Sequence, residues 1–349
     1  MSTPGLLGLR RTYPQAKLVG LLPSALIPLL EGSGLFDELW PLASRDAGLA
    51  GWRRDVARIA SARFDLGIVI PESISSALMM RLGRVREVLG FARDPIRRSL
   101  LHTEIPAPEA WGRRRLVSKE RFVLTLLAGL GVEGEAESLC LGVTPAEQQR
   151  LAKALTLAGV DPATLSRDRP VLVAPGAGFG EAKCWPAESY AELADRLAAR
   201  GLPVVLLGAP GEAERIAAVR SRMRCEPIVL AGTLDLGALK ALVRGARALV
   251  ANDAGARHVA AAFGVPSVIF FGPTSVSKTA DNLSRIEVLE TEHACRPCYR
   301  RRCPIDHRCL SSIGVDEAEA ASERVLARAV IPPQAVRETS ASGTGVGRA

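Results

Sequence analysis

Residues 250–274 read VANDAGARHVAAAFGVPSVIFFGPT, and this stretch decides the fold. Ala248 to Ala251 is a short apolar run with the pattern of a buried strand. A polar turn, Asn252-Asp253-Ala254-Gly255, ends it. An alanine-rich helix is predicted from Ala256 to Phe263, with Gly264 and Pro266 as its stop signals. A second strand, Ser267 to Phe271, runs into Gly272-Pro273-Thr274. A strand that empties into a helix N-terminus leaves free backbone N–H groups and the positive end of the helix dipole at the turn, which makes a seat for phosphate. Arg257 and His258 on the first turn add charged or polar donors. An ordinary strand–turn–helix with Asp253 as its N-cap accounts for the same residues, so the stretch by itself leaves both readings open.

Outward from this element the same alternation continues. Towards the N-terminus the pattern predicts strands at Val171–Ala174, Val204–Leu207 and Pro227–Leu230, and helices at Pro186–Ala199, Gly211–Arg222 and Leu236–Arg244. An earlier series runs from a helix opened by Ser2-Thr3-Pro4 to helices at Ser118–Leu130 and Pro145–Ala158, with His102–Arg115 as a loop. Alternating strands and helices of this kind build parallel, doubly wound sheets. The 349 residues suit two domains on a prior of roughly 100–200 residues each. The expected division is 1–160 and 161–333, with polar Gly159–Arg169 as linker and 334–349 as a structureless tail. A doubly wound domain ordinarily opens with a strand that feeds its first helix. Here the helix comes first, so either the first sheet lacks a strand or the start site is set too late.

Composition narrows the function classes. Hydrophobic residues at 48% and charged residues at 23% fit a globular chain with a sizeable core. No apolar run reaches the roughly 20 residues of a membrane helix, and no signal peptide pattern opens the chain. Seven cysteines, an odd number with four of them clustered, fit a reducing cytosol. A cytoplasmic protein is expected. The net charge of +8 is uneven: Arg81 to Arg121 holds eleven Lys/Arg against five Asp/Glu. Such a stretch suits nucleic acid, a lipid surface or a phosphorylated substrate, and a solvated face explains it equally well. Aromatics at 4%, not interleaved with the basic residues, argue against single-stranded nucleic acid.

A second informative stretch, VLVAPGAGFGEAKCW at 171–185, is a strand followed by a loop with Gly176, Gly178 and Gly180, then Lys183. Glycines let backbone approach a ligand, and a lysine at the helix entrance supplies a point charge for phosphate. The spacing is neither that of a nucleoside triphosphatase loop nor that of a dinucleotide fingerprint. Two phosphate-compatible turns in one domain point to a diphosphate ligand. Cys295, Cys298, Cys303 and Cys309, with His307 among them, allow a zinc site, though the spacing is more compact than paired knuckles; packed cysteines shaping a hairpin are the alternative.

Four motifs in order, PGAGFGEAKCWP, VVLLGAPGEAER, NDAGARHVAAAFGVPSVIFFGPT and CRPCYRRRCPIDHRCL, resemble the bacterial lipopolysaccharide heptosyltransferases of glycosyltransferase family 9, heptosyltransferase II most of all. The resemblance implies a GT-B fold, two Rossmann-like domains facing across a cleft, the second holding an ADP-sugar donor and the first a phosphorylated lipopolysaccharide core acceptor. It implies inverting transfer from ADP-heptose, with no cofactor and no metal, by a cytoplasmic protein in peripheral contact with the inner membrane and no dealings with nucleic acid. Carried over by motif position, Gly176, Gly178, Lys183, Asp253, Gly255, Arg257 and His258 meet the donor diphosphate and sugar. Glu212, Glu214, Thr233 and Leu234 lie towards the nucleoside, and Thr3, Arg97 and Arg98 towards the acceptor. The sequence departs from the family at Ala254, where a hydroxyl is usual, and in lacking a Gly-Asp pair before Thr3-Pro4, which leaves the general base unassigned. Asp37, Asp65 and Glu72 are the spare carboxylates of the first domain. A catalytically impaired nucleotide-sugar-binding relative, and a related transferase using another nucleotide sugar, are the competing readings.

Overall fold

A computed structural model describes residues 1–112, 117–136 and 139–328, apart from the side chains at 45 and 46. The chain order in the first part is α1 (Thr3–Thr12), β1 (Val19–Leu22), α2 (Ile27–Leu30), β2 (Glu38–Pro41), α3 (Ser44–Ala62), β3 (Leu66–Val69), α4 (Ile74–Leu82), β4 (Glu87–Phe91), α5 (Pro95–Leu100), β5 (Thr103–Ile105) and α6 (Lys119–Ala128). Then come α7 (Pro145–Leu157), α8 (Pro162–Asp168), β6 (Val171–Ala174), α9 (Ala187–Ala199), β7 (Val204–Leu206), α10 (Ala213–Arg220), β8 (Ile228–Val229) and α11 (Leu236–Gly245). The chain continues through β9 (Ala248–Asn252), α12 (Gly255–Ala262), β10 (Ser267–Phe271), β11 (Ile286–Glu290), α13 (Arg308–Ser311) and α14 (Val315–Arg328).

The second sheet is parallel throughout, in the order β11-β10-β9-β6-β7-β8. Every residue of β9 and β10 is buried, as strands covered by helices on both faces must be. One core gathers Trp185, Tyr190 and Phe270 with α9 and α14, and the other joins Leu249, Ile269 and Phe271 to α11 and α12. Leu141, Leu155 and Leu165 also join this second core, so the cover of the second sheet begins ahead of β6. In the first part the parallel strands fall into two sheets, β1-β2 and β3-β4-β5.

Two segments read as irregular are ordered. The interval 159–169 contains α8, started by Asp161, whose carboxylate accepts from the N–H groups of Ala163 and Thr164, with Pro162 in the first turn. The segment His102–Arg115, read as a loop, contains edge strand β5, which pairs with β4, and just ahead of it lies α5, capped by Asp94 with Pro95 behind it. The triplet at 113–115 and the tail after Pro333 lie outside the described residues.

The two halves meet along a polar seam between α6 and the 3-10 segment Val276–Asn282. Ser118 and Arg121 both donate to Asp281, the arginine Nε at 2.6 Å, and Asn282 Nδ2 donates to Glu120 Oε1 at 3.0 Å. A second tie is buried Lys240, 3.0 Å from Glu147 Oε1 and donating to the Glu31 carbonyl at 2.6 Å.

Candidate functional site

Strand order locates the site before any side chain is considered. From β6 the chain winds outward through β7 and β8, then returns to β9 on the other side of β6 and winds the opposite way. In an open α/β sheet the crevice beyond the carboxyl ends of strands at such a switch point is where ligands sit. The loops leaving β6 and β9 are the two turns singled out in the sequence, Gly176–Lys183 and Asn252–His258.

Asn252 ties these loops together. Its Nδ2 donates to the carbonyls of Pro175 (2.8 Å) and Gly176 (3.2 Å), while its Oδ1 accepts from Trp185 N and Tyr190 Oη, both at 3.0 Å. All four bonds are buried, where an unmade one costs about 1–3 kcal/mol. Below them Trp185 stacks on Phe270 with centroids 4.2 Å apart. Tyr190, wholly buried, is pushed well above its ordinary pKa by desolvation, so its hydroxyl stays a neutral donor.

Asp253 corrects one reading of the sequence. The N-cap of α12 is Ala254, which makes no side-chain cap bond. The Asp253 carboxylate is spent elsewhere: Oδ1 accepts from Arg257 Nε at 2.8 Å, and Oδ2 accepts from Lys183 Nζ at 2.7 Å and Thr274 Oγ1 at 2.8 Å. Lys183 also donates to the Asp253 carbonyl at 2.9 Å. Burial works to raise the carboxyl, but the Arg257 and Lys183 charges outweigh it and hold the group below the usual carboxylate range. Within this cluster two cations face one carboxylate, and Glu120 is a further carboxyl whose charge acts on Arg257. Arg257 is fully buried, and its Nη1 and Nη2 have no hydrogen-bond partner among the described residues. His258 Nδ1 is in the same state, and burial, then the neighbouring Arg257 charge, hold that ring neutral with a pKa of about 3.

The remaining candidates fall into three groups. Glu212 reaches the crevice: a Cβ built on Gly176 would lie 2.3 Å from the Glu212 carboxyl carbon, so this glycine is required by close approach. Thr233 and Leu234 follow β8, in a turn joined to the one after β7 by Gly232 N donating to Gly208 O at 2.8 Å. Gly178, Gly255 and Glu214 are exposed at loop and helix starts.

On the acceptor side the structure turns two residues inward. Arg97 is fully buried and donates to the carbonyls of Phe91 (2.7 Å) and Pro71 (2.8 Å), and to Ser73 O. It clamps the ends of β3 and β4, and its charge is not offered to a ligand. Thr3 is buried, its hydroxyl accepting from Cys140 N at 3.1 Å. Arg98 is exposed and paired with Glu104 at 2.8 Å.

The cysteine cluster is not gathered around one point. Cys295 and Cys298 are exposed, Cys303 is half-buried and Cys309 buried, and among the described residues no three His, Cys, Asp or Glu side chains could hold an ion together. The segment buttresses the glycine-rich loop instead: Arg301 O accepts from Ala182 N at 3.1 Å, and His307 Nε2 lies 2.9 Å from Ala182 O. Sequence reading passed over Asn252 and Thr274 as ligands of this network, although both lie in the opening stretch, and over the Glu120–Asn282 seam, which no local pattern marks.

Two parallel α/β halves meeting along a seam, with a cationic crevice at the switch point of the second, make up the GT-B fold. The model of glycosyltransferase family 9 (heptosyltransferase) matches residues 52–308, and the chain belongs to that family. It is 32% identical over 275 residues to lipopolysaccharide heptosyltransferase 2 of Salmonella typhimurium, covering 76% of this chain and 77% of the relative. The solved ADP-heptose lipopolysaccharide heptosyltransferase II of E. coli superposes with a TM-score of 0.75 at 24% identity over 95% of both chains. An E. coli heptosyltransferase solved with ADP gives 0.66 at 18%, over 93% of this chain and 95% of that one. The protein is therefore a glycosyltransferase of lipopolysaccharide biosynthesis. Among the described residues no helix is long and apolar enough to cross a membrane.

Proposed function

We propose that the protein transfers heptose, with inversion, from ADP-heptose to the phosphorylated inner core of lipopolysaccharide, working in the cytoplasm against the inner membrane. The observation that carries this is the convergence of Lys183, Arg257 and the uncapped start of α12 at the crevice between β6 and β9. A diphosphate seated there accepts from Lys183, which keeps some access to water, and from the first N–H groups of α12, while buried Arg257 adds its charge from behind them. Asp253 fixes both cations in place, and because they outnumber it the site still attracts an anion. The nucleoside extends past Glu212 towards Thr233 and Leu234, and the acceptor enters from the first domain. ADP in a solved relative with the same fold supports the donor. A catalytically impaired relative draws no support from the family match, which runs through the whole of the crevice.

Lys183→Ala tests the donor assignment. Loss of a hydrogen bond to a charged group, about 1.5–3 kcal/mol, weakens ADP binding by roughly 10- to 150-fold in calorimetry. Unchanged ADP affinity would sink the assignment.

A further inference from the structure

One surface of the first domain has no part in the crevice. Helices α3, α4 and α5 pack side by side, and their inner positions Ile59, Ala77, Met79 and Arg97 are buried. Their outward positions are basic and apolar together. Arg53 and Arg54 on α3 and Arg84 just beyond α4 are exposed and carry no ion pair among the described residues. Neither α4 nor α5 contains an acidic residue. Of the two acidic residues of α3, Asp55 is buried, accepting from the N–H groups of Ala43 (3.0 Å) and Ser44 (2.9 Å), and the side chain of Asp46 lies outside the described residues. Set among these arginines are Leu49, Leu82 and Ile96, one on each helix, exposed at 66%, 51% and 63%.

A single exposed leucine is ordinary on any protein. Three aliphatic tips on neighbouring helices, together with Arg53, Arg54 and Arg84, which carry no ion pair among the described residues, match the chemistry of a bilayer interface. There aliphatic groups enter the headgroup boundary and cations meet lipid phosphates. Nucleic acid would use the arginines but leave the aliphatic tips in water, and no aromatic platform accompanies them. We propose that the outward face of α3, α4 and α5 is the surface on which this protein sits on an anionic phospholipid bilayer. The proposal rests on the functional reading above for why a membrane is at hand, while the binding itself needs no donor.

Co-sedimentation of the full chain with vesicles tests it, using phosphatidylcholine alone and with about 30% phosphatidylglycerol, at low and high salt. Binding is expected only with the anionic lipid, weakening as salt rises. Each arginine near such a surface is worth about fivefold in partition, so Arg53→Glu/Arg54→Glu/Arg84→Glu lowers binding more than about 100-fold. Leu49→Ser/Leu82→Ser/Ile96→Ser lowers it at constant charge. Arg222→Glu/Arg224→Glu, exposed on the second domain, serves as control. No binding to the anionic vesicles, an equal loss in the control, or no loss in either triple variant overturns the proposal. Equally tight binding of soluble glycerol phosphate overturns the bilayer as the partner. Calorimetry with ADP on the same proteins separates the two readings: vesicle binding without ADP binding refutes the donor site and leaves this surface standing.

Discussion

Asp253→Asn removes one negative charge from a buried cluster and changes almost nothing in shape. In the native protein that carboxylate holds Arg257 Nε at 2.8 Å and Lys183 Nζ at 2.7 Å. Lys183 has some access to water, and Arg257 has none. Its two terminal nitrogens are already without hydrogen-bond partners among the described residues, so the substitution leaves a desolvated guanidinium without its one hydrogen-bonded carboxylate. Breaking a buried ion pair from one side costs about 3–5 kcal/mol, and because asparagine keeps an acceptor oxygen the expected loss is about 3 kcal/mol. For a protein of this size that lowers Tm by about 6 °C, at roughly 2 °C per kcal/mol. The assay is thermal unfolding followed by circular dichroism at neutral pH, with and without saturating ADP. If the diphosphate sits on these cations it supplies the missing negative charge, so ADP raises the Tm of the variant more than that of the parent. A Tm within about 1 °C of the parent would refute the energetic reasoning. An equal ADP-induced shift in both proteins would refute the placement of the diphosphate.

Two further outcomes follow from buried groups. Burial holds His258 neutral with a folded pKa of about 3, below its ordinary 6.5. Above pH 6.5 neither state binds the proton; below it only the unfolded chain does, so stability falls with pH down to about 3. At about 1.4 kcal/mol per pH unit the parent loses about 2 kcal/mol between pH 6.5 and 5 that His258→Gln does not, and parallel urea-unfolding curves would contradict this. Arg97→Met leaves the Phe91 and Pro71 carbonyls without their charged donor, costing about 3 kcal/mol by denaturant unfolding, while ADP affinity is unchanged. A stable variant with a raised acceptor KM would restore Arg97 to the acceptor site.

The fold was legible because its cues are local. Runs such as 248–251 and 267–271 are uniformly apolar, and only strands covered on both sides bury every position. Gly264 and Pro266 end α12 where backbone geometry demands it, with Gly264 at φ 64°. The elements passed over were those with little pattern of their own. β5 is three residues long and exists through its register with β4, and α8 and α5 announce themselves only by an Asp-Pro start.

By itself the sequence determined that two glycine-bearing turns each end a buried strand and each suit phosphate, because strand period, turn residues and helix starts are set by neighbours a few positions apart. Only the tertiary structure decided that the turns meet. Lys183 and Asp253 are 70 residues apart, and they meet because β6 and β9 are adjacent at the point where the winding reverses. That adjacency took Asp253 from a helix cap to the anchor of two cations. In the same way the β3-β4-β5 sheet drew Arg97 inside, although its neighbour Arg98 stayed in water. Charge and residue type are written along the chain, but burial and partnership depend on which strands lie side by side.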